Sequence, residues 1–294
     1  MPFDTSSTRV LRTELVLSLE YIASMPRIAI GDCHLHIERH GTGYPVLLVS
    51  GLGGLGSYWK DQVPVFARCF DVITHDHRGV GQSDRDRSAY SVDRMAQDVI
   101  GLMDALGIEK AHVVGHSTGG AIAQTLALEH PDRLASIVIA ASWTRADAYF
   151  RRHFALRKEI LTRMGPEAYV QAATLALYPP WYIAQNNEKL RLAEAQNLAS
   201  FTYPDIVMSR IEAILAFDRV SQLGQIRTPT LVVGAADDVV TPAYYSEELA
   251  RLIRGAELKL FPRGGHCFTQ VLAREFNMAV LPFLEAHTPA QERR

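Results

Sequence analysis

The chain has 294 residues, 48% hydrophobic and 21% charged, a balance that supplies a large core and argues against disorder. Thirty basic against 32 acidic residues leave a formal charge of −2, which argues against a strongly basic nucleic-acid binder. Cys33, Cys69 and Cys267 are widely spaced and form no CxxC pair, so neither a disulfide framework nor a zinc ribbon is indicated, and a reducing cytoplasm fits the count.

No run of about 18 uninterrupted apolar residues occurs, so no membrane span is expected. The opening Met1-Pro-Phe-Asp-Thr-Ser-Ser-Thr lacks the basic start and small-residue cleavage site of a secretory signal. Residues 1–26, with the short apolar stretch from Leu15 to Ile22, read as an N-terminal arm. Such an arm packs on the body or on a second subunit, so a homodimer is an open expectation.

Short β-branched runs then alternate with helical patterns, as in βαβ units. Pro45–Val49 and Asp71–Thr74 read as strands around a helical Trp59–Arg68. Ser91 caps a helix to Leu106, with apolar residues at Val92, Met95, Ala96, Val99, Leu102, Met103 and Leu106, and Gly107 ends it. Ala111–Gly115 is the next strand, Thr118–Glu129 a small-residue helix, and Leu134–Ala140 a further strand. Hydrophobic strands joined through helices predict a mainly parallel sheet covered on both faces.

From Trp143 to Gly224 no strand is predicted. The segment is helical, with breaks at Gly165-Pro166, Pro179-Pro180 and Pro204. The βα rhythm returns with Thr230–Val233, a helix near Tyr244–Ile253, Leu258–Phe261 and a last helix near Thr269–Glu285. The expected organisation is a core of residues 27–142 and 225–294 with a helical cap of residues 143–224, since insertions that cover active sites sit at the carboxyl ends of strands.

The strongest chemical motif is Gly115-His116-Ser117-Thr118-Gly119 between a strand and a helix. A G-x-S-x-G turn in that setting is a nucleophile elbow: the flanking glycines permit a sharp bend that lifts the serine above the sheet. The Thr118 amide opens the helix and is one expected oxyanion donor. A serine nucleophile needs a base. His266, in Gly264-Gly265-His266 after the last strand, stands where the base belongs in a Ser…Asp…His order. The loop after Thr230–Val233 offers Asp237 and Asp238 to orient it; counting from Pro229 and back from Pro242 favours Asp238, with Asp237 or an acid such as Asp147 as alternatives.

The glycine-rich Ser50-Gly51-Leu52-Gly53-Gly54 follows the first strand, and the Leu52 amide is the second expected donor. This loop lacks the lysine and the spacing of a phosphate cradle. His75-Asp76-His77-Arg78 reads as a turn held by Asp76 and Arg78, not as a metal site, and no metal or cofactor is expected. Trp143 and Arg145, at the end of a strand, together with Trp59, Tyr178 and Trp181, are candidate substrate contacts. Arg145 is a candidate clamp for a substrate carboxylate, its competing role being an ion pair with Asp147.

With these motifs in this order, residues 27–288 resemble the α/β-hydrolase fold superfamily. Within it the chain is most similar to the aminoacrylate hydrolases of pyrimidine degradation, also named carbamate hydrolases. The resembling pieces are Gly51–Trp59, Trp143-Thr-Arg145, Arg151–Phe154, Leu177-Tyr-Pro179 and Phe261–Cys267. The resemblance implies an eight-stranded, mostly parallel sheet with a cap, and cofactor-free acyl chemistry on a small molecule. Some members of that group lack the nucleophilic serine, which this chain keeps; the usual histidine of the oxyanion loop is Ser50 here. The expected function is serine hydrolysis of an ester, amide, carbamate or aminoacrylate-like substrate. A carbon–carbon bond hydrolase or enol-lactonase is the alternative, and a non-catalytic receptor is the alternative of another class.

Overall fold

The computed structural model describes residues 27–292 apart from Ser88. The expected arm of residues 1–26 lies outside the described residues. Among these, eight strands form one sheet in the order β1-β2-β4-β3-β5-β6-β7-β8. They are β1 (Arg27–Ile30), β2 (Cys33–His40), β3 (Tyr44–Val49), β4 (Phe70–His75), β5 (Ala111–His116), β6 (Leu134–Ala140), β7 (Thr230–Ala235) and β8 (Glu257–Phe261). The first two pairings, β1 with β2 and β2 with β4, are antiparallel; every later one is parallel.

Alternation along the central strands sends neighbours to opposite faces. Val113, Ile137, Ile139 and Val232 pack on one side with α2 (Val92–Ala105) and α3 (Thr118–Glu129). Val114, Val138, Leu231 and Val233 pack on the other, against Trp59, Phe66 and α9 (Ala273–His287). The remaining helices of the core are the one-turn α1 (Val63–Phe66), α7 (Ala243–Leu252) and the one-turn α8 (Phe268–Val271). Ser91 caps α2 by accepting the Arg94 amide at 3.0 Å.

Between β6 and β7 stand three helices: α4 (Ala148–Leu177), α5 (Pro180–Ala199) and α6 (Pro204–Ala216). Pro180 and Pro204 sit in the first turn of their helices, where a missing N–H costs nothing. The break expected at Gly165-Pro166 is a kink inside α4, with Gly165 at φ 83°. An isolated antiparallel bridge, Arg145 to Asp218, ties the two ends of the insertion together.

The structure departs from the sequence reading in three places. Strands β1 and β2 add to the elements expected from sequence, although Cys33, Leu35 and Ile37 alternate with His34, His36 and Glu38 as in a half-buried strand. The helix expected over Trp59–Arg68 is a 3₁₀ turn at Gly56–Trp59 followed by α1. The last helix is divided into α8 and α9. Among the described residues no helix is long and apolar enough to cross a membrane.

Candidate active site

Ser117 follows β5 and precedes α3 with φ 55° and ψ −114°, a strained backbone for a residue with a Cβ. Packing enforces the turn. A Cβ on Gly115 would lie 2.1 Å from the Gly119 carbonyl oxygen, and one on Gly119 would lie 2.0 Å from the Val49 carbonyl oxygen. The Ser117 amide donates to Ala140 O at 2.8 Å, and Ser142 Oγ donates to Ser117 O at 2.9 Å. The bend is therefore fixed from both sides.

His266 follows β8 in a loop with Gly264 at φ 140° and Gly265 at φ 65°. Its Nδ1 lies 2.8 Å from Asp238 Oδ2. The other carboxylate oxygen accepts the Val240 and Thr241 amides at 2.7 and 2.9 Å, and Thr241 Oγ1 donates to Oδ2 at 2.8 Å. Burial pushes the Asp238 carboxyl up, but the His266 charge and the hydrogen bonds from His266 and Thr241 outweigh it and hold the group below the usual carboxylate range. An ionised Asp238 only accepts, so Nδ1 carries the proton and Nε2 is the basic nitrogen. Asp237 Oδ1 instead accepts the Gly265 amide at 2.8 Å.

His116, a variable position in the G-x-S-x-G pattern, braces the same histidine. Its Nε2 donates to the His266 carbonyl oxygen at 2.9 Å, and its ring stacks on Tyr58 at 4.6 Å. Burial depresses its pKa to about 3, so it is neutral.

Among the described residues, neither the Leu52 nor the Thr118 amide donates to a protein acceptor. Leu52 lies in a turn in which Gly54 N–H bonds Gly51 O at 2.9 Å. Its carbonyl accepts Arg210 Nε at 3.1 Å and Arg210 Nη2 at 3.0 Å. Arg210 comes from α6 and is 1% exposed. The sequence signal for it is a lone cation on the apolar face formed by Ile206, Val207, Ile211 and Ile214.

A cavity of about 300 Å³ has Ser117, His266 and Leu52 in its wall, and Phe154, Arg157 and Tyr178 from the insertion opposite. A neighbouring lobe of about 210 Å³ shares Leu52, Arg157 and Tyr178 with it. Arg157 Nη2 donates to Tyr169 OH at 2.8 Å, and the guanidinium lies over the Phe154 and Tyr169 rings. Among the described residues no carboxylate forms an ion pair with Arg157, and none lines the larger lobe.

Of the expected substrate contacts, only Tyr178 lines this space, its hydroxyl donating to Gln270 Oε1 at 2.7 Å. The others need correction. Trp59 is fully buried beneath the sheet, against Phe276. Trp143 is fully buried between Phe150 and Phe217. Trp181 turns away, its ring under Arg263 at 4.7 Å. Arg145 faces a different depression and pairs with Glu248 at 3.0 Å. Asp147, the expected partner of Arg145, caps α4 by accepting the Phe150 amide at 2.9 Å.

Asp76 holds its turn by accepting the Gly56 and Gln82 amides, each at 2.9 Å. Arg78 joins Asp98 at 2.7 Å, along with Asp32 and Asp86. His75 and His77 stack beside them, kept neutral by burial.

The sequence signature of the α/β hydrolase fold matches residues 44–269. "Putative carbamate hydrolase RutD" of Azorhizobium caulinodans is 44% identical over 259 residues, which cover 88% of this chain and 98% of that protein. Among solved structures, the enol-lactonase of Burkholderia xenovorans LB400 superimposes with a TM-score of 0.81 at 26% identity, covering 88% of this chain and 99% of the other. A thermophilic esterase from Thermogutta terrifontis gives a TM-score of 0.81 at 25% identity, covering 90% and 99%. Sheet order, elbow and relatives agree: the chain belongs to the α/β-hydrolase fold family and is an enzyme of that family, a hydrolase.

Proposed function

We propose that the protein is a serine hydrolase of small acyl substrates, acting through Ser117, His266 and Asp238 and a covalent acyl-enzyme. The observation that carries this reading is the strained Ser117 in one cavity with His266, whose Nδ1 is held by Asp238.

His266 Nε2 takes the hydroxyl proton as Ser117 Oγ bonds the substrate carbonyl carbon. The carbonyl oxygen becomes an oxyanion that accepts the Leu52 and Thr118 N–H groups. Collapse breaks the bond to the leaving group, which receives the proton from His266. Water then enters, gives a proton to His266 and bonds the acyl carbon; the bond to Ser117 Oγ breaks, and Oγ takes the proton back from His266 as the acid leaves. Asp238 holds the ring and balances its charge while it is protonated. The helices of the insertion act as a lid that keeps bulk water from the cavity.

The lobe of about 300 Å³ suits a small molecule. The ester, amide, carbamate or aminoacrylate-like class is supported by the relatives named as carbamate hydrolases. Arg157 and Lys60 supply positive charge to a wall without carboxylates, which supports a substrate that carries a carboxylate or another anionic group. The role first expected of Arg145 thus passes to Arg157. Enol-lactone opening is a second reading, favoured by the superposition on the enol-lactonase.

The test is turnover of a short p-nitrophenyl ester by the wild type and by Ser117→Ala. The variant is expected to lose at least about three orders of magnitude in kcat with its fold intact. Hydrolysis near the wild-type rate would sink the covalent mechanism.

A further inference from the structure

Arg210 is a buried cation with neutral partners. Its Nε and Nη2 donate to Leu52 O, its Nη1 to Arg78 O at 3.1 Å, and its Nη2 also to His77 Nδ1 at 3.1 Å. Four of its five N–H groups are thus spent on uncharged protein acceptors. Among the described residues no carboxylate forms an ion pair with it. Taking a charge out of water without a counter-ion is costly, and a side chain kept there needs another justification. Burial lowers its pKa to about 10, which still leaves it charged at neutral pH.

Two of these four bonds hold the Leu52 loop, and the other two hold the His77–Arg78 turn that is bonded to it. The peptide that carries the Leu52 N–H has its carbonyl, Gly51 O, bonded to Gly54 N–H, and Gly54 O accepts the His77 amide at 2.7 Å. In a trans peptide N–H and C=O point in opposite directions, so these bonds and the doubly held Leu52 O together fix where the Leu52 N–H is aimed. Gly54 has φ +73°, and a Cβ there would come within 2.9 Å of Arg210 Nη2. The loop and the guanidinium are fitted to each other. Arg210 also ties α6 to the His77–Arg78 turn, so hydrogen bonds from one side chain join the insertion to both segments.

We propose that Arg210 is a positioning residue, through which helix α6 holds the Leu52 amide in the geometry that receives the oxyanion. The inference rests on the reading of Ser117 as nucleophile. It adds that the lid does more than enclose the substrate: it sets one of the two donors. Arg210 acts through Leu52: it borders the neighbouring lobe of about 210 Å³ but not the larger lobe that holds Ser117 and His266.

The experiment compares wild type with Arg210→Lys, Arg210→Gln and Arg210→Met on a neutral short-chain ester, reading kcat and KM separately, with Tm measured for each. A parallel arm measures inhibition by a small trifluoromethyl ketone, whose serine adduct places an oxyanion between the two amides. Arg210→Met is expected to lose roughly 10- to 100-fold in kcat, short of the full loss of an oxyanion donor, with KM changed less than about threefold. Its affinity for the ketone should fall in parallel with kcat. Arg210→Lys, which keeps a donor for Leu52 O, is expected to recover part of both. If Arg210→Met does not fold, the same kcat and inhibitor readings on Arg210→Lys and Arg210→Gln decide. Folded variants with wild-type kcat and ketone affinity, or with a raised KM and unchanged kcat, would overturn the positioning role. A wild type that neither turns over esters nor binds the ketone would instead overturn the reading of Ser117.

Discussion

Asp237 and Asp238 are adjacent in sequence and grip the same histidine loop at different points. Asp238 Oδ2 lies 2.8 Å from His266 Nδ1, while Asp237 Oδ1 accepts the Gly265 amide at 2.8 Å. One sets the tautomer of the ring and the other sets the backbone that carries it. Asp238→Asn presents an amide where an acceptor for Nδ1–H is needed, so kcat is expected to fall by about 10³–10⁴. Asp237→Asn keeps an oxygen that can accept Gly265 N–H, and is expected to fall by no more than about tenfold. Steady-state kinetics of the two variants check this, and the reverse ranking would move the orienting role to Asp237.

Arg157 and Arg145 should separate cleanly. With a matched pair of esters, one carrying a free carboxylate and one neutral, Arg157→Met is expected to raise KM about tenfold or more for the anionic ester only. Arg145→Met should leave both esters alone, because its partner is Glu248 in a different depression. It should cost no more than about 1 kcal/mol of stability, as expected of a half-exposed ion pair. Equal losses on both esters for Arg157→Met would reduce that residue to support for the lid.

Gly119→Ala tests the elbow as a packing problem. The added Cβ would meet the Val49 carbonyl oxygen at 2.0 Å, and both belong to backbone that cannot rotate away. A destabilisation of about 3 kcal/mol or more is expected, at the upper end for overpacking. Gly107→Ala, where nothing lies within 4 Å but φ is +66°, is expected to cost only about 1 kcal/mol. Urea unfolding of the two variants, compared with wild type, gives the ranking.

Stability should fall on acidification before the carboxylates titrate. Burial lowers His75 to about 4, and His112 and His116 to about 3, from 6.5. Below pH 6.5 the unfolded chain takes up these protons and the folded one does not, so their contribution is complete above 6.5 and is lost as pH falls to about 4 for His75 and about 3 for His112 and His116. Each contributes a slope of up to about 1.4 kcal/mol per pH unit in that window. A Tm series from pH 7.5 to 4.5 is expected to decline steadily below 6.5. A flat profile would mean that these histidines are accessible to protons in the folded state.

The parts of the site that local rules dictate were legible in the sequence. The elbow is written in Gly115, Ser117 and Gly119, because only glycine survives contacts of about 2 Å with backbone atoms. Asp238 was legible by its place between Pro229 and Pro242, and its loop is held by the Val240 and Thr241 amides. The pocket was not legible, because it depends on where side chains point after a strand ends. Ala141, at φ 48°, turns the chain just past β6 and breaks the alternation that sequence reading extends to Trp143 and Arg145. Trp143 consequently enters the core and Arg145 reaches Glu248. Arg157 and Arg210 gave no motif, since their roles depend on how α4 and α6 pack over a loop roughly 100 or more residues earlier in the chain.

The central claim is that Ser117 is the nucleophile activated by His266. Mass spectrometry of peptides after reaction with a fluorophosphonate tests it most directly. The wild type is expected to carry one adduct, on the peptide containing Ser117, with none on Ser117→Ala and at least a hundredfold slower labelling of His266→Ala. Wild-type protein that hydrolyses its substrate yet stays unlabelled at Ser117, or a His266→Ala variant labelled at the wild-type rate, would contradict it.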